Sequence, residues 1–316
     1  MQSKILVPLD GSPLAETVLP RAAAWARATS GVVLLTRVSA PAMVAPPTAW
    51  TIPTPLVGYE DTLHDMDLAR DYLTDVALRL KTAGVEVETT GLDGDPAAAI
   101  VAYAEDHPEV TLIAMATHGR SGLSRWVLGS VAEKVLHAAP VPLLLVRPDS
   151  TAEPAAQQTG IGTILVPLDG SIFAEQALES AYGVAHATGA ALLLVSALPV
   201  PDDMAATDAG LTPAPVPAQY QAEVAQLTAY LEGQAQRLRL AGIVVETQIV
   251  SGRPADAILR AGAEAHADLI VMATHGRSGL QRLWLGSVAM KVVQGAILPV
   301  LLVRAREAAV PAPAHA

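Results

Sequence analysis

Two halves of this chain repeat one another, and the repeat restricts the possible folds more than any other feature of the sequence. Two neighbouring segments of the first half, Ala114–Leu123 and Leu128–Ala132, are separated by the same number of residues as their counterparts in the second half, as expected for copies of one unit. We therefore predict two copies of one domain, residues 1–148 and 163–306, joined by a linker at 149–162 and followed by a flexible tail at 307–316. The matched pairs are Lys4–Ser12 with Thr163–Ser171, Ala114–Leu123 with Val271–Leu280, Leu128–Ala132 with Leu285–Ala289, and Pro142–Arg147 with Pro299–Arg304.

Continuous apolar runs alternate with segments of helical period in each copy, a pattern typical of a parallel sheet covered by helices on both faces. In the first copy we predict helices from Ser12-Pro13 onward, over residues 60–83 and over residues 130–138. Each copy is therefore predicted to be a doubly wound α/β domain with five parallel strands, whose ligands bind outside the carboxyl ends of the strands. The strands predicted in the first copy are Ile5–Leu9, Val32–Val38, Val85–Thr90, Leu112–Ala116 and Leu143–Val146.

Charge and composition exclude several classes of function. The 316 residues include 20 Lys and Arg and 31 Asp and Glu, giving a net charge of −11 that repels nucleic acid and anionic membranes. Cysteine is absent, which excludes disulfides, thiol nucleophiles and cysteine-ligated metals. The apolar runs are far shorter than the roughly 20 residues that cross a bilayer, and the N-terminus lacks a secretory signal. We therefore predict a soluble cytoplasmic protein with neither a nucleic acid nor a membrane as a partner.

The loop after the fourth predicted strand is the strongest functional candidate. In both copies a glycine and an arginine are followed, at the same spacing, by a Gly-Ser pair that opens a helix. The unpaired amides and the dipole of a helix N-terminus attract phosphate, and the arginine would add a cationic donor beside it. The residues of this predicted phosphate site are Gly119, Arg120, Gly129 and Ser130 in the first copy, and Gly276, Arg277, Gly286 and Ser287 in the second.

The same Gly-Ser pair has a purely structural alternative. Ser130 and Glu133 match the S-x-x-E pattern of a capping box, which satisfies a helix N-terminus without any ligand. In the second copy Met290 stands where the glutamate was, while the glycine and serine remain. The pattern leaves the helix cap and the phosphate site as open alternatives.

An aspartate follows the first strand of each copy, Asp10 and Asp169, and each is followed by Gly-Ser. A carboxylate at that strand end can accept hydrogen bonds from ribose hydroxyls, whereas the structural alternative is a turn or cap residue for the first helix. Doubly wound strand order would place this aspartate and the glycine loop on opposite walls of one crevice.

Other candidates indicate less. His118 and His275 lie inside the glycine loop, where an imidazole is more often a hydrogen-bonded strut than a catalytic base. Neither a P-loop nor a G-x-G-x-x-G fingerprint follows the first strand, which argues against a P-loop ATPase and an ordinary dinucleotide oxidoreductase. Residue spacing assembles neither a catalytic triad nor a set of metal ligands.

With these motifs the chain resembles the universal stress protein family, and specifically a tandem member of its ATP-binding branch. The resemblance rests on Pro-Leu-Asp-Gly-Ser, Met-Ala-Thr-His-Gly-Arg-Ser-Gly, Leu-Gly-Ser-Val-Ala and the closing strand, and it covers almost the whole chain. That branch carries the pattern G-x-x-G, nine residues, then G-[ST]. This sequence departs from the pattern, because Ala116 and Ala273 replace the first glycine.

The resemblance implies two Rossmann-like domains of the HUP type that each bind ATP, ADP or AMP, with Mg²⁺ held through the phosphates and water rather than by a protein ligand set. It also implies an internal pseudo-dimer of the two domains and a homodimer of chains. The aspartates would bind ribose, the backbone near Val38 and its nearest counterpart Ser196 would meet adenine, and the glycine loop would hold the phosphates. The implied nucleotide-binding residues are Asp10, Val38, Met115, Ala116, Gly119, Arg120, Gly129, Ser130 and Val131, and Asp169, Ser196, Met272, Ala273, Gly276, Arg277, Gly286, Ser287 and Val288.

Three functions follow as alternatives. The first is a nucleotide-dependent stress-response regulator, not primarily an enzyme, in which ATP biases two proline-rich flaps at 41–58 and 199–217 or the dimer surface, and so changes the contacts with an unknown partner protein. The second is a slow ATPase, autokinase or nucleotidyl transferase that uses His118 or His275. The third is a dimeric scaffold without ligand, which the alanine at the first motif position leaves open.

Overall fold

The computed structural model describes residues 2–39, 57–117, 128–148, 160–199, 217–275 and 285–305, without the side chains of 57–66. The chain divides into two compact units, the first covering Met1–Gly160 and the second beginning at Ile161. The predicted tail and almost all of the two predicted flaps and the linker lie outside the described residues. Among the described residues, no helix combines the length and apolar composition that crossing a membrane requires.

The first unit alternates strands and helices along the chain. Its elements are β1 (Lys4–Pro8), α1 (Pro13–Glu16), α2 (Leu19–Thr29), β2 (Val32–Ser39), α3 (Val57–Thr82), β3 (Val87–Asp93), α4 (Pro96–Asp106), β4 (Val110–Ala116), α5 (Ser130–Ala138) and β5 (Leu143–Val146). The second unit repeats this order with β6 (Thr163–Pro167), α6 (Ile172–Thr188), β7 (Ala191–Leu198), α7 (Ala218–Leu240), β8 (Val245–Ser251), α8 (Pro254–Glu264), β9 (Leu269–Ala273), α9 (Ser287–Gly295) and β10 (Val300–Val303).

Within the described residues, each unit contains five parallel strands in a doubly wound order, which confirms the predicted fold class. The first unit has the order β3-β2-β1-β4-β5, and the second has the equivalent order β8-β7-β6-β9-β10. The chain leaves β1 toward β2 and later crosses back to β4 on the other side of β1, so the order reverses between β1 and β4. Because such crossovers are right-handed, α1 to α3 cover one face of the sheet, and α4 and α5 cover the other.

The cores form where the sequence is continuously apolar. Ile5, Leu6 and Val7 of β1 are fully buried, as are Ile164, Leu165 and Val166 at the same places in β6. Strands covered on both faces need apolar side chains on both sides, which explains runs without alternation. Their carboxyl ends are thereby fixed as a rigid edge on which loops can carry a site.

The two units differ at their first helix. In the second unit α6 is continuous from Ile172 to Thr188, whereas the first unit splits this helix into α1 and α2. Pro20 lies at the split, and Glu179 occupies its place in the second unit. Proline lacks the N–H that would bond back to Glu16, so the helix restarts there.

Candidate functional site

A cavity of about 250 Å³ opens at the carboxyl ends of the strands in the first unit. It lies where the strand order reverses between β1 and β4, the usual ligand position in an open α/β sheet. We call it the first pocket. Its lining residues are Pro8, Leu9, Asp10, Ala15, Val38, Pro96, Ile100, Met115, Ala116, Thr117, Gly129, Ser130, Val131 and Ala132.

The second unit has the equivalent cavity, the second pocket, with a volume of about 360 Å³. Glu223 and Leu227 of α7 contribute to its lining. Its other lining residues are Pro167, Leu168, Asp169, Ala174, Val195, Ser196, Ala197, Leu198, Pro199, Pro254, Ile258, Met272, Ala273, Thr274, His275, Gly286, Ser287, Val288 and Ala289.

Every described residue of the predicted nucleotide site lines one of these two pockets. In each unit the aspartate after the first strand, the strand-two residue, the Met-Ala pair and the start of the last helix share one cavity. Gly119, Arg120, Gly276 and Arg277 lie outside the described residues.

The aspartates shape the turn that enters the first helix. Asp10 Oδ1 accepts a hydrogen bond of 2.9 Å from the Ser12 amide, and the Ser12 hydroxyl in turn caps α1 by accepting from Ala15 N. Asp169 Oδ1 accepts from both the amide and the hydroxyl of Ser171, at 3.0 and 2.6 Å. Gly11 has a φ of +84°, which only glycine adopts easily. The turn role anticipated as an alternative is therefore present, and the same turn sets the carboxylates into the pocket walls.

The capping-box alternative for Ser130 is wrong. The N-cap of α5 is Gly129, Ser130 is the first helical residue, and no side-chain hydrogen bond caps the helix. The first i→i−4 hydrogen bond runs from Glu133 N to Gly129 O, at 2.8 Å. The amides of Ser130, Val131 and Ala132 therefore have no acceptor within the helix and lie at the pocket wall.

The glycine before each serine acts differently from the expectation that its N–H faces a ligand. Gly129 N donates to Thr117 O at 2.8 Å, and Gly286 N donates to Thr274 O at the same distance. A Cβ on Gly286 would lie 3.1 Å from that carbonyl oxygen. The glycine thus allows a close approach of the helix start to the end of the neighbouring strand.

Strand pairing corrects the assignment of Ser196 as the counterpart of Val38. Pro8 pairs with Thr36 and Pro167 pairs with Val195, so Val38 corresponds to Ala197. Ser196 is 1% exposed, and its hydroxyl donates 2.6 Å to Leu168 O, which makes it an internal strut at the pocket wall.

Sequence reasoning missed the wall that the helix after the third strand contributes. Pro96 and Ile100 line the first pocket, and Pro254 and Ile258 line the second. The turn before Pro96 also has a structural role, because Asp95 caps α4 by accepting from Ala98 N at 3.1 Å. The available signal was position, since both turns follow a strand at its carboxyl end.

His275 is the one loop histidine that the structure describes. Its Nδ1 lies 3.1 Å from the Thr274 hydroxyl, as expected of a strut, and its Nε2 is buried without a hydrogen-bond partner among the described residues. His118 lies outside the described residues. No three His, Asp or Glu side chains within the described ranges converge as metal ligands.

A family model decides what these two units are: the one described as "Universal stress protein family" matches residues 1–147 and 160–304. The chain belongs to the universal stress protein family. A universal stress protein of Thermus aquaticus is 40% identical over 144 residues, which is 45% of this chain and 98% of that protein. One of Mycolicibacterium smegmatis is 27% identical over 306 residues, covering 96% of this chain and 97% of that protein.

The similarity extends to structure. The crystal structure of a universal stress protein from Archaeoglobus fulgidus has a TM-score of 0.70 and 25% identity, and the match covers 96% of this chain and 99% of that one. Three mycobacterial universal stress proteins that are 31% identical match over 62% of their own length. The family model thus matches two consecutive segments of this chain.

Proposed function

We propose that this universal stress protein binds ATP or another adenine nucleotide in each unit and acts as a nucleotide-dependent regulator. One observation carries the proposal. In each unit, an acidic turn and an uncapped helix N-terminus form two walls of one cavity at the reversal of strand order. These walls offer hydrogen-bond acceptors to a sugar and donors to a phosphate, respectively.

The residues present fit such a ligand. The amides of Ser130 and Val131 would hold phosphate, and Asp10 would accept from ribose. The backbone near Val38, or near Ala197 in the second unit, would meet the base edge, with the proline and isoleucine of α4 or α8 against its apolar face. Small-molecule sites span about 300–1,000 Å³, and the second pocket, at about 360 Å³, lies in that range.

Mg²⁺ would be bound mainly by the phosphates and by water rather than by protein side chains. It usually keeps several waters and binds through phosphates, and no carboxylate cluster within the described residues competes for it. When bound, it would supply counter-charge to a polyphosphate. We further propose that the protein acts in the cytoplasm, with domain boundaries at residues 148 and 163, an internal pseudo-dimer and a homodimer of chains.

Direct detection of the ligand tests the proposal. We expect the purified, denatured protein to release an adenine nucleotide in mass spectrometry, and the stripped protein to bind ATP with Mg²⁺ in calorimetry. Ser130→Asp together with Ser287→Asp should abolish binding, because a carboxylate at the first helical position occupies the amides and repels phosphate. Both serines are exposed, so the fold should be retained. Ser30→Asp, at an exposed site after α2, is the matched control.

Two results would contradict the proposal. Wild-type protein that neither carries nor binds a nucleotide would leave only the scaffold alternative. Steady release of ADP or a labelled product, lost in His275→Ala, would favour the enzymatic alternative over a regulator that retains its nucleotide.

A further inference from the structure

An ion pair joins the two helices that flank the first pocket. Asp95, the N-cap of α4, lies with Oδ2 3.3 Å from Nζ of Lys134 on α5. Pro96 follows Asp95 directly and lines the pocket, and the first residues of α5 line it as well. The charge of Lys134 is therefore already compensated by a carboxylate on the neighbouring helix.

The second unit replaces this pair by two cations. The helices α8 and α9 have the same lengths as α4 and α5, so their positions correspond one to one. Arg253 takes the place of Asp95 as the N-cap of α8, and Lys291 takes the place of Lys134. Both are exposed, and neither forms an ion pair with another described residue.

Two neighbouring positions on the same helices also change charge between the units, but in opposite directions. The difference in charge between the two helix pairs therefore stays the same. Glu133 of α5 becomes the neutral Met290 in α9, whereas Ala98 of α4 becomes Asp256 in α8. The helix pair beside the first pocket thus presents, at these positions, two acids and one base, and the pair beside the second presents two bases and one acid. Glu223 of α7 lines the second pocket as well and adds one carboxylate to its wall.

We infer that the second pocket prefers nucleotides with more phosphate groups than the first pocket does, and that Arg253 and Lys291 set this preference. The inference rests on the proposed function of both pockets as nucleotide sites. Going from AMP to ATP adds about two negative charges, which favourable charges near the mouth attract through solvent. For exposed charges about 10 Å away at low salt, the difference corresponds to about fivefold in the ratio of ATP to AMP affinity.

The test isolates each pocket within the full chain. Ser130→Asp leaves the second pocket active and Ser287→Asp leaves the first, and calorimetry then gives the ATP and AMP affinities of each at about 20 mM and about 300 mM salt. We expect the ATP-to-AMP ratio to be about fivefold higher at the second pocket at low salt and the difference to shrink at high salt.

Two variants that reverse a charge test whether Arg253 and its counterpart Asp95 affect the ratio of ATP to AMP affinity. Arg253→Asp should lower the ratio at the second pocket, and Asp95→Arg should raise it at the first. Arg27→Asp, in the last turn of α2, makes the same change in net charge as Arg253→Asp and should leave both ratios unaltered. Equal ratios of ATP to AMP affinity at the two pockets, or ratios that do not change in these variants, would overturn the inference but not the proposed function. Absence of nucleotide binding by the wild-type chain overturns both the inference and the proposed function.

Discussion

The Tyr72 hydroxyl on α3 donates a hydrogen bond of 2.9 Å to Glu16 Oε1 on α1, and Tyr230 donates at 3.1 Å to Glu175 on α6. Burial first, and then the adjacent Glu16, raise the pKa of Tyr72, so the hydroxyl remains a donor at neutral pH. The bond joins the helix that starts beside the pocket aspartate to the long helix next to it. Its presence in both units points to a shared structural role.

Removing either tyrosine hydroxyl should therefore destabilise its unit. We expect Tyr72→Phe and Tyr230→Phe each to lower the free energy of unfolding by about 1 kcal/mol, the usual contribution of such a bond. Urea unfolding followed by circular dichroism measures the change. Tyr220→Phe, whose hydroxyl contacts Ser251 at the surface at 3.1 Å, is the control and should change stability by less than about half that amount. Equal losses of unfolding free energy in all three variants would show that the helix-to-helix hydrogen bond stabilises the fold no more than the surface contact does.

Thr36 is fully buried in β2, and its hydroxyl has no hydrogen-bond partner among the described residues. Val195 occupies the same position in the second unit. Since valine has the same shape without the polar atom, Thr36→Val should raise the free energy of unfolding by about 1 kcal/mol. The reverse exchange, Val195→Thr, should lower it by about 1–3 kcal/mol. A loss of stability in Thr36→Val, measured by the same urea unfolding, would mean that the hydroxyl is satisfied after all.

Two glycines in the second unit should respond oppositely to alanine. Gly286 is closely packed, because a Cβ would lie 3.1 Å from the Thr274 carbonyl oxygen, whereas Gly183 within α6 has open space around it. Gly286→Ala should therefore cost about 1 kcal/mol of stability and weaken nucleotide binding at the second pocket. Gly183→Ala should stabilise by up to about 1 kcal/mol through helix propensity and leave binding unchanged. Thermal unfolding and calorimetry on the two variants check both statements, and a stabilised Gly286→Ala variant would contradict the first.

The sequence predicts a continuously apolar strand of this fold better than a strand with exposed side chains. The fifth strand begins and ends at Leu143 and Val146 as expected, because burial on both faces demands an unbroken apolar run. The edge strand β3 instead runs from Val87 to Asp93, beyond the predicted Val85–Thr90, with most of its side chains exposed or half-buried. An edge strand is defined by its pairing with β2, and composition carries little of that information.

The candidate site shows a similar contrast. Some of its residues can be found from a short motif, and others are brought there only by the fold. Asp10 and Ser130 are recognisable because each belongs to a short motif at a strand or helix end. Ile100 reaches the first pocket only because the chain crosses the sheet after β3, and Tyr72 meets Glu16 from 56 positions away. Contacts of that range follow from topology, which a pattern of residue types does not specify in detail. Pro20 illustrates a third case, since a local helix breaker lies within an otherwise helical period.

The ion pair beside the first pocket should make stability depend on pH. The pKa of Asp95 lies below its ordinary value of 3.8, because the Ala98 amide and then Lys134 favour the carboxylate. A carboxyl group whose pKa is lowered in the folded state stabilises the fold above its unfolded pKa, and this contribution is lost as the pH falls through the folded pKa.

Asp95→Asn keeps an N-cap but removes the charge. We therefore expect wild type to be more stable than Asp95→Asn at neutral pH and the difference to decrease as the pH falls below about 4. Thermal unfolding of both proteins across this range measures it, and Arg253→Asn, which removes a cation rather than a carboxylate, should show no such convergence. A difference between wild type and Asp95→Asn that persists undiminished at low pH would rule out the carboxylate as its source.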